Sequence, residues 1–313
     1  MLQPEDTNWL NGYKNKKERA TDMARRRRRN FRGFLTSFIA ISAAMLILNV
    51  YQGDEKKDIF SGNTPSNGEA VYVHFVDVGQ GSATLIQQGS SAILIDAGEK
   101  DYGDYLVKYI NSCGVNEIEY IVASHPHSDH IGGICDVLEE YPVGEIIMPE
   151  LSEINTPTTR VYENLLNTVI DKDIDAVFID GKKGYSFSLD KNIDVEVLGP
   201  VEQVKDLNDM SVICRVSAFD TEFMILGDAE KQELSSVYSN PLNDTVSLIN
   251  SKNPFKSDVI AMGHHGSDTS LHKKFLAAVD ADVAVISCGK DNSYGHPHEK
   301  TLDYIEKQKM TLS

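Results

Sequence analysis

A chain of 313 residues holds one large domain or two ordinary ones, and its formal charge of −17 is unevenly spread. Residues 1–33 carry ten Lys/Arg against four acidic residues, a balance of +6, which leaves −23 for the remainder. A body this acidic has no extended basic footprint, which argues against tight nucleic-acid binding, sequence-specific or not.

The first predicted element follows the basic segment 1–33. Arg25 to Arg29 stand just before 21 uncharged residues between Arg32 and Asp54, and 34–48 (FLTSFIAISAAMLIL) is mostly apolar. An α-helix of about 20 apolar residues crosses a bilayer, so 34–51 is predicted to be a single transmembrane signal-anchor. Its basic flank places the N-terminus in the cytoplasm and the body of the chain outside. A cleaved signal peptide is the competing reading. The long basic stretch and the lack of a small-x-small site after Leu48 speak against it. Residues 52–69 are rich in Gly, Ser, Asn and charge, a flexible linker. The remaining domain is 70–313.

Within it, Val71–Val78, Ala83–Gln87 and Ser91–Ile95 are short β-branched runs separated by Gly-rich turns, consecutive antiparallel strands by pattern. A helix is predicted over 102–113, then a buried strand from Ile118 to Val122 that stops at Ser124. His125, His127, Asp129 and His130 come next, followed by Gly132-Gly133 and a helix over 131–140. Later expectations are a strand at 144–148, a helix at 158–171 and strands near 176–179, 193–198, 211–219 and 222–227. Helix 229–238, strand 258–263, helix 269–279, strand 282–288 and a helix from about 298 complete the pattern. Strand clusters interrupted by helices fit a mixed α/β (α+β) domain of two packed sheets with helices outside. Four cysteines without a CxxC spacing read as buried free thiols.

The chemistry gathers on the loop after Val122. Imidazole and carboxylate are ligands that borderline divalent metals prefer. Alternation in an extended loop sends His125, His127 and Asp129 to one side, with His130 on the following turn. Asp228 ends the apolar strand Phe223–Leu226 immediately before a helix, where it can cap the helix or bind metal. His264 and His265 end a further strand. Neighbours on a strand point oppositely, so one of the two is expected to reach the metal.

His125-Pro-His127-Ser-Asp129-His130-Ile-Gly132-Gly133 resembles the metal motif of the metallo-β-lactamase superfamily. Phe75-Val-Asp77-Val-Gly79-Gln80-Gly81, Leu94-Ile-Asp96-Ala-Gly98, Leu226-Gly-Asp228, His264-His265-Gly266-Ser267 and Tyr294-Gly-His296-Pro-His298 follow the order seen in the ComEC-like branch. The resemblance covers about residues 70–305. It implies an αββα sandwich holding two divalent metal ions, Zn or Mn, that activate water for direct attack on substrate.

Asp228 is then the bridging ligand, His265 the favoured member of its pair, and His264 its support or a substrate contact. Asp129 orients the water as well as binding metal, and Asp96 orients a histidine ligand. His296 and His298 are substrate-side or proton-donating groups. The superfamily usually supplies another histidine before the bridging Asp, but Ile131 to Asp228 contains none. Asp209, Asn208 or water is expected to fill that place.

The implied function is a membrane-anchored, extracytoplasmic phosphodiesterase or nuclease. Its substrate would be DNA or a cell-wall polymer, and any competence role would need a membrane partner protein. A non-catalytic metal-binding module is the alternative, and a β-lactamase-type hydrolase a lesser one. The resemblance also implies a further short β segment after the helix that follows His298, and because the sequence stops at Ser313 the chain is expected to be a shortened product.

Overall fold

In the computed structural model, residues 70–242 and 253–313 are described. The basic segment, the expected span over 34–51 and the linker 52–69 lie outside the described residues. Among the described residues no helix is long and apolar enough to cross a membrane.

The first sheet has the order β1 (Val71–Phe75), β2 (Thr84–Gln88), β3 (Ser91–Ile95), β4 (Glu117–Val122), β5 (Val143–Pro149), β6 (Asp175–Ile179). Its first three strands form an antiparallel meander joined by tight turns. From β3 onward each strand is parallel to the last, because a helix or longer loop carries the chain back between them. These connections are α1 (Gly103–Ser112), the pair α2 (Ser128–Ile131) and α3 (Ile134–Glu140), and α4 (Arg160–Asp171). α4 shows why such segments form helices. Thr159 caps its N-terminus by accepting from the Tyr162 N–H, and Tyr162, Leu165, Leu166 and Val169 put a buried stripe on one face.

The second sheet repeats the plan. β7 (Tyr185–Leu189), β8 (Ile193–Gly199), β9 (Ile213–Ala218) and β10 (Thr221–Ile225) are antiparallel. Parallel strands β11 (Val259–Ala261), β12 (Val283–Val285) and β13 (Thr311–Leu312) complete it. α5 (Lys231–Ser239), α6 (Lys273–Val279) and α7 (Glu299–Gln308) provide its helical layer. Against the expectation that the further short β segment is missing, β13 follows the last helix and pairs with β12. The helix expected over 131–140 is α3, while β7 and the single turn α2 ahead of it were not expected.

Side-chain alternation builds a core on each face of the second sheet. Ile86, Ile93, Ile95, Val122 and Ile147 of the first sheet meet Val195, Val197, Cys214, Val216 and Ile225 of the second. On the other face of the second sheet, Met224, Leu226 and Ile260 pack with Leu234, Phe275, Leu276 and Ile305 from the helices. All four cysteines are free thiols, with Cys113 and Cys214 buried.

The parallel halves matter for function. β3, β4, β10, β11 and β12 all deliver their C-terminal ends to one rim of the sandwich, the customary place for a site in open α/β sheets.

Candidate metal centre

The motifs carrying Asp96, His125 to His130, Asp228 and His264-His265 sit just beyond the ends of β3, β4, β10 and β11. Asp96 follows β3 in a left-handed conformation (φ 59°). Its carboxylate accepts from the Ser124 N–H (2.8 Å), from Ser124 Oγ (2.7 Å) and from His130 Nδ1 (2.7 Å). With Nδ1–H bound there, His130 turns Nε2 toward Asp228 Oδ1, 3.1 Å away. Neither of those two buried atoms is aligned to hydrogen-bond any group among the described residues. Asp228, after β10, is fixed through its backbone N–H, which donates to Ser211 Oγ (3.0 Å).

His265 completes the group from a third segment. β11 ends at Ala261, so the opposed directions of His264 and His265 come from a left-handed turn rather than a strand. His264, His265 and Gly266 have φ of 50°, 55° and 80°. Two consecutive non-glycine residues there store of order 1–3 kcal/mol of strain each, a cost typical of sites where geometry is dictated by function. His265 Nδ1–H donates to the Ser287 carbonyl (2.8 Å), and Nε2 lies 3.2 Å from Asp129 Oδ2 and 3.6 Å from Asp228 Oδ2.

Asp129, His130, Asp228 and His265 each present one ligand atom, and these four atoms lie within 4.8 Å of one another. Asp129 and His130 reach the group from the single turn of α2 rather than from an extended loop. The extended backbone ends at His127.

His125 and His127 form the neighbouring pair, with Nε2 of the first 3.0 Å from Nδ1 of the second. His125 Nε2 is 3.8 Å from Asp228 Oδ2, so Asp228 lies between the two groups. His264 stands apart. Its Nε2 is 3.9 Å from Asp228, and its Nδ1 is 3.0 Å from Glu230 Oε1 and 3.1 Å from Thr269 Oγ1.

Electrostatics follow from burial and charge. Burial opposes charge on His130, but Asp228 and Asp96 on either side hold its pKa well above the ordinary histidine value. Burial would likewise raise Asp228 and Asp129. His130 and its neighbouring histidines outweigh it for Asp228, which is held well below the usual carboxylate range. A hydrogen bond from His265, with the charge of His130, lowers Asp129 to about 2. His125 moves the other way, because burial and then the adjacent His130 keep it neutral, the form that binds metal.

The donor set fits a divalent cation. The carboxylates of half-buried Asp129 and buried Asp228 stay ionised, and His130 and His265 are turned by Asp96 and Ser287 so that Nε2 faces them. The orphaned His130 Nε2 and Asp228 Oδ1 converge on one point, which an ion would satisfy.

Three expectations need correction. Asp209 does not take the place of the absent histidine. It is buried, and its Oδ1 accepts from the Glu230 N–H (2.8 Å) and the Glu233 N–H (3.2 Å) at the start of α5. Its neighbour Asn208 lines the cavity instead. The amide Nδ2 of Asn208 lies 3.4 Å from Glu230 Oε1, and its Oδ1 is buried without a hydrogen bond among the described residues. His298 is drawn away from the cavity, where its Nδ1 accepts from the Asp268 N–H (3.0 Å). His296 does line the cavity, but burial and then the adjacent His264 and His298 lower it to about 4. It is neutral at physiological pH and can give a ring N–H hydrogen bond, not the proton of an imidazolium.

Glu230, Asn292, Ser124 and Ser287 were missed by sequence reasoning. Asp228-Ala-Glu230 was a usable signal. A backbone carbonyl such as that of Ser287 leaves none.

These residues open onto a cavity of about 870 Å³. A family model described as "Metallo-beta-lactamase superfamily" matches residues 76–290. The chain belongs to the metallo-β-lactamase superfamily. Its members are mostly metal-dependent hydrolases, and this superfamily chain falls in the ComEC-like branch. It is 25% identical to ComE operon protein 3 of Bacillus subtilis over 79% of its own length and 32% of that protein. Recombination protein 2 of Haemophilus influenzae is 28% identical over 77% of the chain and 27% of the relative. Competence protein ComA of Neisseria gonorrhoeae is 29% identical over 79% and 31%.

The chain thus spans about a third of the length of these curated relatives. Among solved structures, it is similar to the diiron β-hydroxylase CmlA from Streptomyces venezuelae, at 12% identity and TM-score 0.49, covering 80% of this chain and 53% of that one. Human tRNase Z, short form, aligns at 15% identity and TM-score 0.45, covering 77% and 95%.

Proposed function

We propose that this superfamily member is a metal-dependent phosphodiesterase that hydrolyses its substrate with water. The observation that carries the reading is the convergence of Asp129, His130, Asp228 and His265 from three distant segments, with four ligand atoms inside 4.8 Å. These residues would hold one divalent ion. His125, His127 and the shared Asp228 would hold a second, with Asn208 beside them on the cavity wall. Bound Zn or Mn lowers the pKa of water and draws charge from a phosphoryl oxygen.

The chain's own groups do the rest. Asp129, ionised down to about pH 2, orients water and accepts its hydrogen bond. The neutral His296 ring offers an N–H on the substrate side of the cavity. Glu230 and Thr269 hold His264 at the rim. No Ser or Cys occurs in a GxSxG or comparable nucleophile setting in the sequence.

The printed names of the relatives, which include competence and recombination proteins, support DNA as the polymer, with a cell-wall phosphodiester second. In the same reading, the apolar segment 34–51 anchors the chain with its hydrolase domain outside the membrane, and a competence role requires a membrane partner protein.

The test is hydrolysis of bis-p-nitrophenyl phosphate with Mn²⁺ or Zn²⁺, alongside metal analysis of the purified protein. Asp228→Ala and Asp129→Ala should lose at least a hundredfold in rate and at least one equivalent of metal. Equal rates in all three proteins would remove the enzyme reading. A non-catalytic binding module rests on a single observation, that among the described residues His125 and His127 share Asp228 and have no third ligand of their own. One tightly held equivalent and no turnover would favour it.

A further inference from the structure

Tyr294 is the most exposed aromatic side chain lining the cavity, at 66%. Its ring stacks on His296, with centroids 5.7 Å apart and planes at 22°. His296 stacks in turn on His265, at 6.3 Å and 25°. Three near-parallel rings therefore run from solvent down to the carboxylates of Asp129 and Asp228. One face of Tyr294 rests on the column and the other is open.

The ring belongs to neither hydrophobic core cluster, so the stability of the fold does not explain it. Nor is its loop loose. Asn292 Oδ1 accepts from the Tyr294 N–H (3.1 Å) and the His296 N–H (3.0 Å), while Asn292 Nδ2 donates to the His296 carbonyl (2.6 Å). The Gly289 N–H donates to Gln80 Oε1 and ties this loop to the opposite rim. Tyr102 lines the same cavity, its phenol packed against Gly79 where no Cβ would fit. No Lys or Arg lines the cavity among the described residues, so substrate phosphates are not gripped by side-chain cations.

We propose that Tyr294 is a specificity-determining residue. Its open face takes a planar ring joined to the scissile phosphodiester, so unpaired nucleotides are selected over polyol phosphates. This rests on the phosphodiesterase reading and decides between its two substrate classes. Stacking on an aromatic ring is tolerant of base identity. A base inside a duplex already stacks on its neighbours and cannot offer its face.

Two measurements separate this inference from the reading beneath it. Trp9 is the only tryptophan in the chain, so Tyr294→Trp in a Trp9→Phe background gives a reporter in the cavity. Thymidine monophosphate should quench its fluorescence at a concentration at least tenfold below that needed for glycerol 3-phosphate, with no turnover required. Equal concentrations, or no quenching, would overturn the proposal.

In the kinetic arm, thymidylyl-thymidine is compared with glycerophosphoglycerol. In Tyr294→Ala the ratio of their kcat/KM values should fall roughly tenfold, chiefly through the KM of the dinucleotide, and Tyr294→Phe should restore it. A ratio unchanged in Tyr294→Ala, or glycerophosphoglycerol preferred by the wild type, would also overturn it. Should the wild type hydrolyse neither diester, the phosphodiesterase reading falls, while the quenching experiment still decides whether Tyr294 takes a ring.

Discussion

Asp96, Asp209, Asp228 and Glu233 are all buried acids, and their neighbours decide what each does. Asp96 and Asp228 face histidines, and those histidines hold Asp228 well below the usual carboxylate range. Asp209 and Glu233 face each other and the start of α5. Glu233 is 1% exposed, its Oε1 accepts from the Val201 N–H (2.9 Å), and its Oε2 has no hydrogen-bond partner among the described residues. Burial outweighs that one hydrogen bond and, with Asp209 and Glu202 adding repulsion, pushes its pKa up to about 8.

The native state therefore keeps this proton until about pH 8, whereas the unfolded chain releases it near 4.5. Between those values the native state binds more protons, so stability falls as pH rises through the window. The loss approaches ~1.4 kcal/mol for each unit of difference, several kcal/mol in all. Glu233→Gln keeps the acceptor for Val201 and removes the titration. Urea denaturation should show the variant close to wild type at pH 4.5 and more stable by several kcal/mol at pH 8.5. An identical pH slope in both proteins would mean that Glu233 is ionised at its ordinary value.

At the scale of elements, the Gly132-Gly133 pair shows how the fold holds the metal loop. A Cβ on Gly132 would lie 2.3 Å from the Lys100 N and 2.5 Å from the Ser128 carbonyl, and one on Gly133 2.4 Å from the Ala97 carbonyl. All three are backbone atoms that no side-chain rotation can clear. The pair lets α2 and α3 press against the 97–100 loop, which follows Asp96, the residue that orients His130. Gly132→Ala should cost about 1–3 kcal/mol by overpacking and weaken divalent-metal binding as well, since it displaces the turn carrying Asp129 and His130. Chemical denaturation and metal titration read the two effects. A loss of stability with metal affinity intact would separate the glycine from the site.

Much of this was legible beforehand. The apolar runs ending at Ser124, Leu226 and Met262 located three strand ends, and the residues just beyond them carry the four-atom cluster. The helix start at Gly-Gly was legible, but the turn α2 ahead of it was not, because Ser128-Asp129-His130-Ile131 reads as extended metal loop and the packing that bends it comes from residues 97–100. β7 was missed although Tyr185, Phe187 and Leu189 alternate with serines. Five residues without β-branching look like a loop until Phe187 finds the Tyr120 ring across the sandwich, at 4.4 Å. Asp209 and Asn208 are adjacent, and only tertiary contact with α5 tells which one leaves the cavity.

For the whole molecule, the distribution of charge sets how a polyanion must arrive. Outside residues 1–33 the chain carries −23. Glu99, Asp101, Asp129 and Asp228 line the cavity without a Lys or Arg among the described residues. A protein that grips nucleic acid through 6–10 phosphate contacts loses roughly a thousandfold or more in affinity between 50 and 200 mM salt, because bound counterions are released. The cavity, among the described residues, has no such cations to offer.

Repulsion between its acidic surface and the flanking phosphates is instead screened as the Debye length shrinks to about 8 Å at physiological ionic strength. With metal concentration held constant, kcat/KM on a single-stranded oligonucleotide should stay level or rise a few-fold from 50 to 200 mM NaCl. The same titration on a neutral-flanked diester such as thymidylyl-thymidine should be flat, which controls for salt acting on the metals. A steep fall confined to the oligonucleotide would show that basic side chains away from the cavity grip the flanking phosphates. Recognition would then be electrostatic rather than aromatic.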